Sequence, residues 1–215
     1  MSERPIAIPG IHQQEWEERS RRRGLQSVMS TRWTDEQCSE ATELFNITIL
    51  SMLGDIDGRS ILEVGPGIGR ITAKLIAAGG NVIGADLSYS MIVRANKESQ
   101  IGQNKGYIFV NALTPGLPFS DEVFDTALEV TVLQHVTHDL IYRQAIHDMK
   151  RVVKRSGTML LCDELHQNRT RNVSLFTRLR TLKHYQMAMK DWNLEDLRQF
   201  TCVTDPYTLM LWSRP

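Results

Sequence analysis

Glu63, Gly65, Gly67 and Gly69 stand at alternate positions in the stretch Ile61-Leu62-Glu63-Val64-Gly65-Pro66-Gly67-Ile68-Gly69-Arg70-Ile71-Thr72. The stretch opens as a short apolar run and closes as the start of a helix. Glycine takes positive φ and has no Cβ, so the backbone can bend sharply and come close to a ligand. Strand, glycine turn and helix N-terminus together make a nucleotide-binding corner. Arg70 stands where the common dinucleotide fingerprint would need its last glycine, which argues against that cofactor class. Taken alone, the stretch also fits a tight βα turn with no ligand.

Asp86 ends the next apolar run, Asn81-Val82-Ile83-Gly84-Ala85-Asp86. A carboxylate about 20 residues past such glycines can accept hydrogen bonds from ribose hydroxyls. Its plain alternative is a strand-end cap. Asn111, Glu129 and Asp163 fall at the ends of three further expected strands. In a parallel sheet all four would ring one crevice at the strands' carboxyl ends.

The elements that must position these groups alternate. Thr34 and Gln37 form a capping-box pattern, and Ala41, Leu44, Phe45, Ile49 and Met52 recur at helical spacing, predicting a helix over about 35–53. Strands are expected at 60–64, 81–86, 107–110, 124–130 and 158–162. Between them lie helices from near Gly69 to Gly79-Gly80, from Ser88 or Ser90 to about Ser99, and from His138 or Asp139 to about Val153. Ser156-Gly157 reads as a turn. This alternation predicts a parallel sheet with helices on both faces. Residues 1–10 read as a loose lead-in, 165–200 as mostly helical, and 207–212 as a buried strand after a turn at Asp205-Pro206.

With 215 residues, one domain is expected. Lysine plus arginine balance aspartate plus glutamate at 25 each, so no global field attracts nucleic acid or an anionic membrane. No apolar run reaches the length of about 18 residues that a membrane helix needs. The start, Met-Ser-Glu-Arg-Pro, lacks a basic-then-apolar signal segment. Cys38, Cys162 and Cys202 are odd in number and far apart. They suit neither a disulfide framework nor a zinc site, and read as reduced cytoplasmic thiols. No metal site is suggested, since the histidines also lack ligand spacing.

The stretches ILEVGPGIGRIT, VIGADLS, LPFSDEVFDTALEVTVLQHV and MKRVVKRSGTMLLCDE, in this order and at this spacing, resemble the class I S-adenosylmethionine-dependent methyltransferases. The likeness covers roughly residues 58–164 and is strongest to the small-molecule branch that includes ubiquinone and menaquinone biosynthesis methyltransferases. It implies an α/β, Rossmann-like, doubly wound and mostly parallel seven-stranded sheet, closed by an antiparallel C-terminal hairpin, with helices on both faces. The chain then divides into a helical lid (1–54), a cofactor-binding core (55–164), a helical substrate cap (165–200) and the hairpin (201–215).

The resemblance also implies S-adenosylmethionine as cofactor and S-adenosylhomocysteine as product. Gly65, Gly67 and Gly69 would form the floor of the cofactor site. Glu63 would lie beside the methionine moiety, or else only brace the turn. Asp86 would hold the ribose hydroxyls, with Leu87 and Met91 flanking the adenine. Asn111, Ala112 and Leu113 occupy the place where many members carry an aspartate against the adenine amino group, and the Asn111 carbonyl can still accept that bond. Glu129 would line the methionine portion, and Trp33 would form a wall of the lid.

His135 follows the fourth strand and is the leading general-base candidate, since its unperturbed pKa lies near neutrality. It fits equally a histidine that only fixes the loop. His138, Glu164 and His166 are weaker candidates, and His184 reads as a surface histidine. Arg169, Arg171, Arg178 and Arg180 could meet an anionic substrate or simply face solvent. The run from Arg19 to Arg23 reads as a solvated face, against an RNA or phosphate contact. The acceptor expected is therefore a small metabolite methylated at O, N or C. RNA or protein methylation and a non-catalytic scaffold are the alternatives.

Overall fold

The structure, a computed structural model, describes residues 9–98, 107–111 and 116–215. Helix α1 (Pro9–Arg19) begins at a proline, whose missing N–H costs nothing in a first turn. Of the expected loose lead-in at 1–10, Pro9 and Gly10 are instead helical, and the rest lies outside the described residues. Helix α2 (Asp35–Leu53) follows, and its capping box closes as expected. Gln37 N–H donates to Thr34 Oγ1 at 3.2 Å, and Thr34 N–H donates to Gln37 Oε1 at 2.9 Å. Cys38, Ala41, Phe45, Ile49 and Met52 form its buried stripe.

The core then alternates: β1 (Ser60–Val64), α3 (Thr72–Ala77), β2 (Asn81–Asp86), α4 (Tyr89–Glu98), β3 (Tyr107–Asn111), β4 (Phe124–Val130), α5 (Asp139–Val152) and β5 (Val153–Asp163). These five strands pair in parallel. The later part holds β6 (Arg171–Asn172), β7 (Arg178–Leu179), α6 (Leu182–Ala188), β8 (Asn193–Cys202) and β9 (Asp205–Ser213). The main sheet has seven strands in the order β3-β2-β1-β4-β5-β9-β8, with β9 antiparallel to β5 and β8 antiparallel to β9. β1 therefore sits between β2 and β4, where the strand order reverses. Such a switch point opens a crevice at the strands' carboxyl ends.

Two apolar clusters sandwich this sheet. One joins α2 to Ile71, Leu75 and the hairpin side chain Tyr207. In it the Phe45 ring meets Phe200 and Tyr207 edge-on, at centroid distances of 5.0 and 4.9 Å. The other joins α5 to Tyr185, Trp192 and Trp212. Strands covered on both faces read as continuous apolar runs, which is why Ile61, Leu62, Leu160 and Leu161 are all buried.

Three expectations need correction. Segment 165–200 is not mostly helical: its one helix, α6, has seven residues, and β8 occupies its end. Leu194-Glu195-Asp196-Leu197-Arg198 suits a helix by propensity, but pairing along β9 overrides it. The hairpin therefore starts at Asn193, its turn lies at 203–204, and Asp205-Pro206 belongs to β9. Ser156-Gly157 is a bulge within β5, where the register against β4 slips between Phe124 and Thr126. A Cβ at Gly157 would stand 2.8 Å from the Asp125 carbonyl, so glycine permits that slip. Trp33 is a core residue packed with α2, not a cavity wall. Among the described helices, none is long and apolar enough to cross a membrane.

Candidate active site

Gly65 N–H donates to the Ala85 carbonyl at 2.8 Å, which ties the end of β1 to β2. Residues 66–69 then form a tight turn, and α3 starts only at Thr72, later than expected. Gly65 and Gly67 have φ of 69° and 58°. A Cβ at Gly65 would lie 2.4 Å from a Val132 methyl, and one at Gly67 would lie 2.6 Å from a Val28 methyl. Both glycines are thus required by conformation and by close approach.

Asp86 holds this turn open. Its carboxylate accepts from Gly67 N–H at 2.9 Å and from Ser88 N–H at 2.8 Å. Burial raises the Asp86 carboxyl to about 6, against the backbone donors, which lower it. Behind the turn Glu63 is buried and accepts from the Thr72 hydroxyl at 2.5 Å. Burial raises Glu63 to about 7, while the Thr72 hydroxyl and Arg70 pull it down.

A cavity of about 280 Å³ opens beside these groups. Glu63, Gly65, Gly67, Asp86, Leu87 and Met91 line one end of it, as expected of a cofactor pocket. Gly69 and Glu129 do not reach it. Asn111 pairs with Asp86 at the ends of β3 and β2. Its side chain, with Ala112 and Leu113, lies outside the described residues.

Glu129 and Asp163 do not ring the crevice; they brace it from behind. Glu129 Oε2 accepts from Val132 N–H at 2.9 Å and Leu133 N–H at 3.2 Å, and its Oε1 accepts from Cys162 N–H at 3.0 Å. Asp163 accepts from Gln134 N–H at 3.2 Å and the Tyr185 hydroxyl at 2.6 Å. The two carboxyls are fully buried neighbours, and burial pushes both up, Asp163 to about 7. A carboxylate needs partners when buried, and the loop amides provide them. This bracing holds Thr131, a β-branched residue, at a φ of 61° on the cavity wall.

The other end of the cavity is built by α1 and the residues from Leu133 to Ile141. Trp16 and His12 reach in from α1. The Trp16 ring stands edge-on to His135 at 5.1 Å. Glu17 takes hydrogen bonds from Ser90 and Ser88, and Arg94 Nη1 donates to the Ser20 carbonyl at 2.7 Å, so α1 is tied down onto α4. His135 Nδ1 lies 2.7 Å from the Phe176 carbonyl, an arrangement that places the proton on Nδ1. Burial lowers its pKa to about 4, so the ring is neutral at pH 7.

The expected substrate arginines have other partners. Arg178 and Arg180 both bind Asp139, at 2.7 and 3.1 Å. Arg180 also donates to the carbonyls of Leu133 and Val136 and lies 3.8 Å from the Tyr142 ring centroid. Arg169, Arg171 and His184 are exposed, Glu164 and His166 are half-buried, and all five lie outside the cavity. Arg21, Arg22 and Arg23 are exposed at the end of α1. Arg19 instead turns inward and donates to the Met29 carbonyl at 2.8 Å.

One residue was missed. Arg70 lines the cavity and is half-buried near Glu63, with its guanidinium 5.0 Å from the Phe45 ring centroid. Its Nη1 has no hydrogen-bond partner among the described residues. A guanidinium N–H left without a partner beside the glycine turn can receive an anion. The carboxylate of S-adenosylmethionine is such an anion, and the Asp86 carboxylate suits its ribose diol. The residues present therefore fit that cofactor.

The sequence profile of a methyltransferase domain matches residues 62–161. Over this stretch, a little under half of the chain, the protein is similar to a methyltransferase domain. A phosphoethanolamine N-methyltransferase of Triticum aestivum is 28% identical over 66% of this chain and 27% of its own length. A ubiquinone/menaquinone biosynthesis C-methyltransferase of Pseudomonas paraeruginosa is 31% identical over 53% of this chain and 45% of its own length. The chain thus spans less than half the length of these relatives. The crystal structure of Burkholderia thailandensis 1,6-didemethyltoxoflavin-N1-methyltransferase, with 1,6-didemethyltoxoflavin and S-adenosylhomocysteine bound, has the same fold. It superposes with a TM-score of 0.74 at 19% identity, covering 99% of this chain and 93% of the other.

Proposed function

We propose that the protein transfers a methyl group from S-adenosylmethionine to an O, N or C nucleophile of a small metabolite, in the cytoplasm. The observation that carries this reading is the Asp86 carboxylate joined to the Gly67 amide, with Arg70 Nη1 lining the same cavity without a partner among the described residues. The bound cofactor supplies the methyl group on a sulfonium that is already a good leaving group. The chain's own residues then have to align and dry the site. Alignment of this kind is worth about 7–11 kcal/mol.

Arg70 and Asp86 grip the two ends of the cofactor, and Leu87 and Met91 give its adenine an apolar seat. Residues 131–135, braced by Glu129 and Asp163, form the wall facing the methyl group, and α1 excludes water as a lid. His135 orients the acceptor through Nε2. A ring with a pKa near 4 is a poor proton store at neutral pH, which favours orientation over general-base work. The test is incubation with S-adenosylmethionine and a metabolite extract, followed by mass spectrometry. A product heavier by one methylene, together with S-adenosylhomocysteine, supports the proposal. Cofactor binding without turnover of any acceptor class favours the scaffold alternative.

A further inference from the structure

The acceptor half of the cavity differs in kind from the cofactor half. The charged residues that line the cavity, Glu63, Arg70 and Asp86, lie in β1, just after the glycine turn and at the end of β2. Its other end is walled by Trp16, His12, Val136, His138 and Ile141, with His135 between them, and none carries a fixed charge. Burial lowers the pKa of both His12 and His135, so neither brings a cation at neutral pH. Arg178 and Arg180 are consumed by Asp139 and by loop carbonyls, and Arg19, whose guanidinium stands 4.8 Å from the Trp16 ring centroid, donates to the Met29 carbonyl and does not line the cavity. An anionic acceptor would enter this end without a counter-charge, and burying an unpaired charge is strongly disfavoured.

The polar opportunities point one way. With the His135 proton on Nδ1 and held by the Phe176 carbonyl, Nε2 is an acceptor with no partner among the described residues. A site built to accept a hydrogen bond rejects a molecule that lacks the donor, because its own polar atom is then left unpaired. The rings of Trp16 and His135 meet edge-on at 5.1 Å, and His12 meets Phe176 edge-on at 5.5 Å. Such aromatic walls suit a flat ring.

We infer that the methyl acceptor is a neutral, planar aromatic or heteroaromatic compound carrying an O–H or N–H donor, which His135 Nε2 receives. Phosphorylated or sulfonated acceptors are excluded. This inference rests on the methyltransferase reading and narrows it: of the activities that its relatives carry, one on a phosphorylated amine does not suit this cavity.

Calorimetry on the full chain tests it. S-adenosylhomocysteine is titrated first, and its failure to bind counts against the methyltransferase reading alone. Four probes then follow, with and without S-adenosylhomocysteine: 2-naphthol, naphthalene, naphthalene-2-sulfonate and phosphoethanolamine. The expected result is that 2-naphthol binds about tenfold or more tightly than each of the others, the scale of one satisfied hydrogen bond or one avoided buried charge. His135→Phe should erase the preference of 2-naphthol over naphthalene. Ile141→Trp, which fills the acceptor end without touching that hydrogen bond, should abolish 2-naphthol binding and leave S-adenosylhomocysteine affinity in place. Equal or tighter binding of either anionic probe overturns the inference. So does binding of none of the four, or 2-naphthol affinity that neither variant changes.

Discussion

The Gly67 amide donates to Asp86 Oδ2 at 2.9 Å, and this bond makes the glycine turn and the end of β2 a single unit. Gly67 sits at a φ of 58° with Val28 packed against the place where a Cβ would stand. Gly67→Ala should therefore cost about 1 kcal/mol or more from backbone strain alone. It should also weaken S-adenosylhomocysteine binding, because the turn can relax only by pulling away from Asp86. Thermal melts with and without the ligand measure both effects. A variant with unchanged melting temperature and affinity would show that the turn has slack.

Arg70 is expected to bind the carboxylate of the cofactor. Arg70→Leu keeps the contact with Phe45 and removes the cation. S-adenosylhomocysteine should then bind about tenfold more weakly, the scale of a lost charge-assisted hydrogen bond. 5′-Methylthioadenosine, which has no carboxylate, should bind wild type and variant alike. Equal losses for both ligands would place Arg70 in the scaffold instead.

Glu63 should couple binding to protons. Burial holds its carboxyl at about 7, so near neutral pH it is partly protonated in the free protein. The family likeness places the methionine moiety of the cofactor beside it, and the ammonium group of that moiety favours the charged form and expels the proton. Titration of S-adenosylhomocysteine at about pH 7, in two buffers of different ionisation enthalpy, should show net proton release. Glu63→Gln should lower it. Identical heats in both buffers for the wild type would remove Glu63 from this role.

How far the sequence was legible follows physical lines. The five parallel strands and α2 were readable because apolar period and capping chemistry are local signals, as in Thr34 with Gln37. The glycines and Asp86 were readable because backbone conformation and ribose recognition restrict residue type. β8 was not, since its residues are acceptable helix formers and only the partner strand β9 decides. Glu129 and Asp163 show the same limit. Their place at strand ends was visible, but the direction of each carboxylate depends on where the 131–136 loop lays its amides. Arg70 stood within the motif and was passed over because a lone arginine in sequence says nothing of its burial.

The Glu129–Asp163 pair predicts a pH dependence of stability. Burial raises both carboxyls, with Asp163 near 7 against 3.8 when exposed. Between about pH 4 and 7 the folded protein therefore holds more protons than the unfolded chain. Stability from the pair is fullest below that window and is lost as pH rises through it. Compared with Glu129→Gln/Asp163→Asn, the wild type should lose about 1 kcal/mol or more between about pH 5 and 8, the scale of one pKa unit. Urea unfolding at the two pH values measures it. A pH-independent difference would mean that burial does not raise the two carboxyls.

The most direct test of the account is calorimetric titration of S-adenosylhomocysteine into the wild type and Asp86→Ala, each shown to be folded by its melting transition. The account predicts saturable binding to the wild type at one site. It predicts a loss of about 1–3 kcal/mol in the variant, since the ribose hydroxyls lose an ionised acceptor. Absence of binding to folded wild type, or equal affinity for the two proteins, would contradict it.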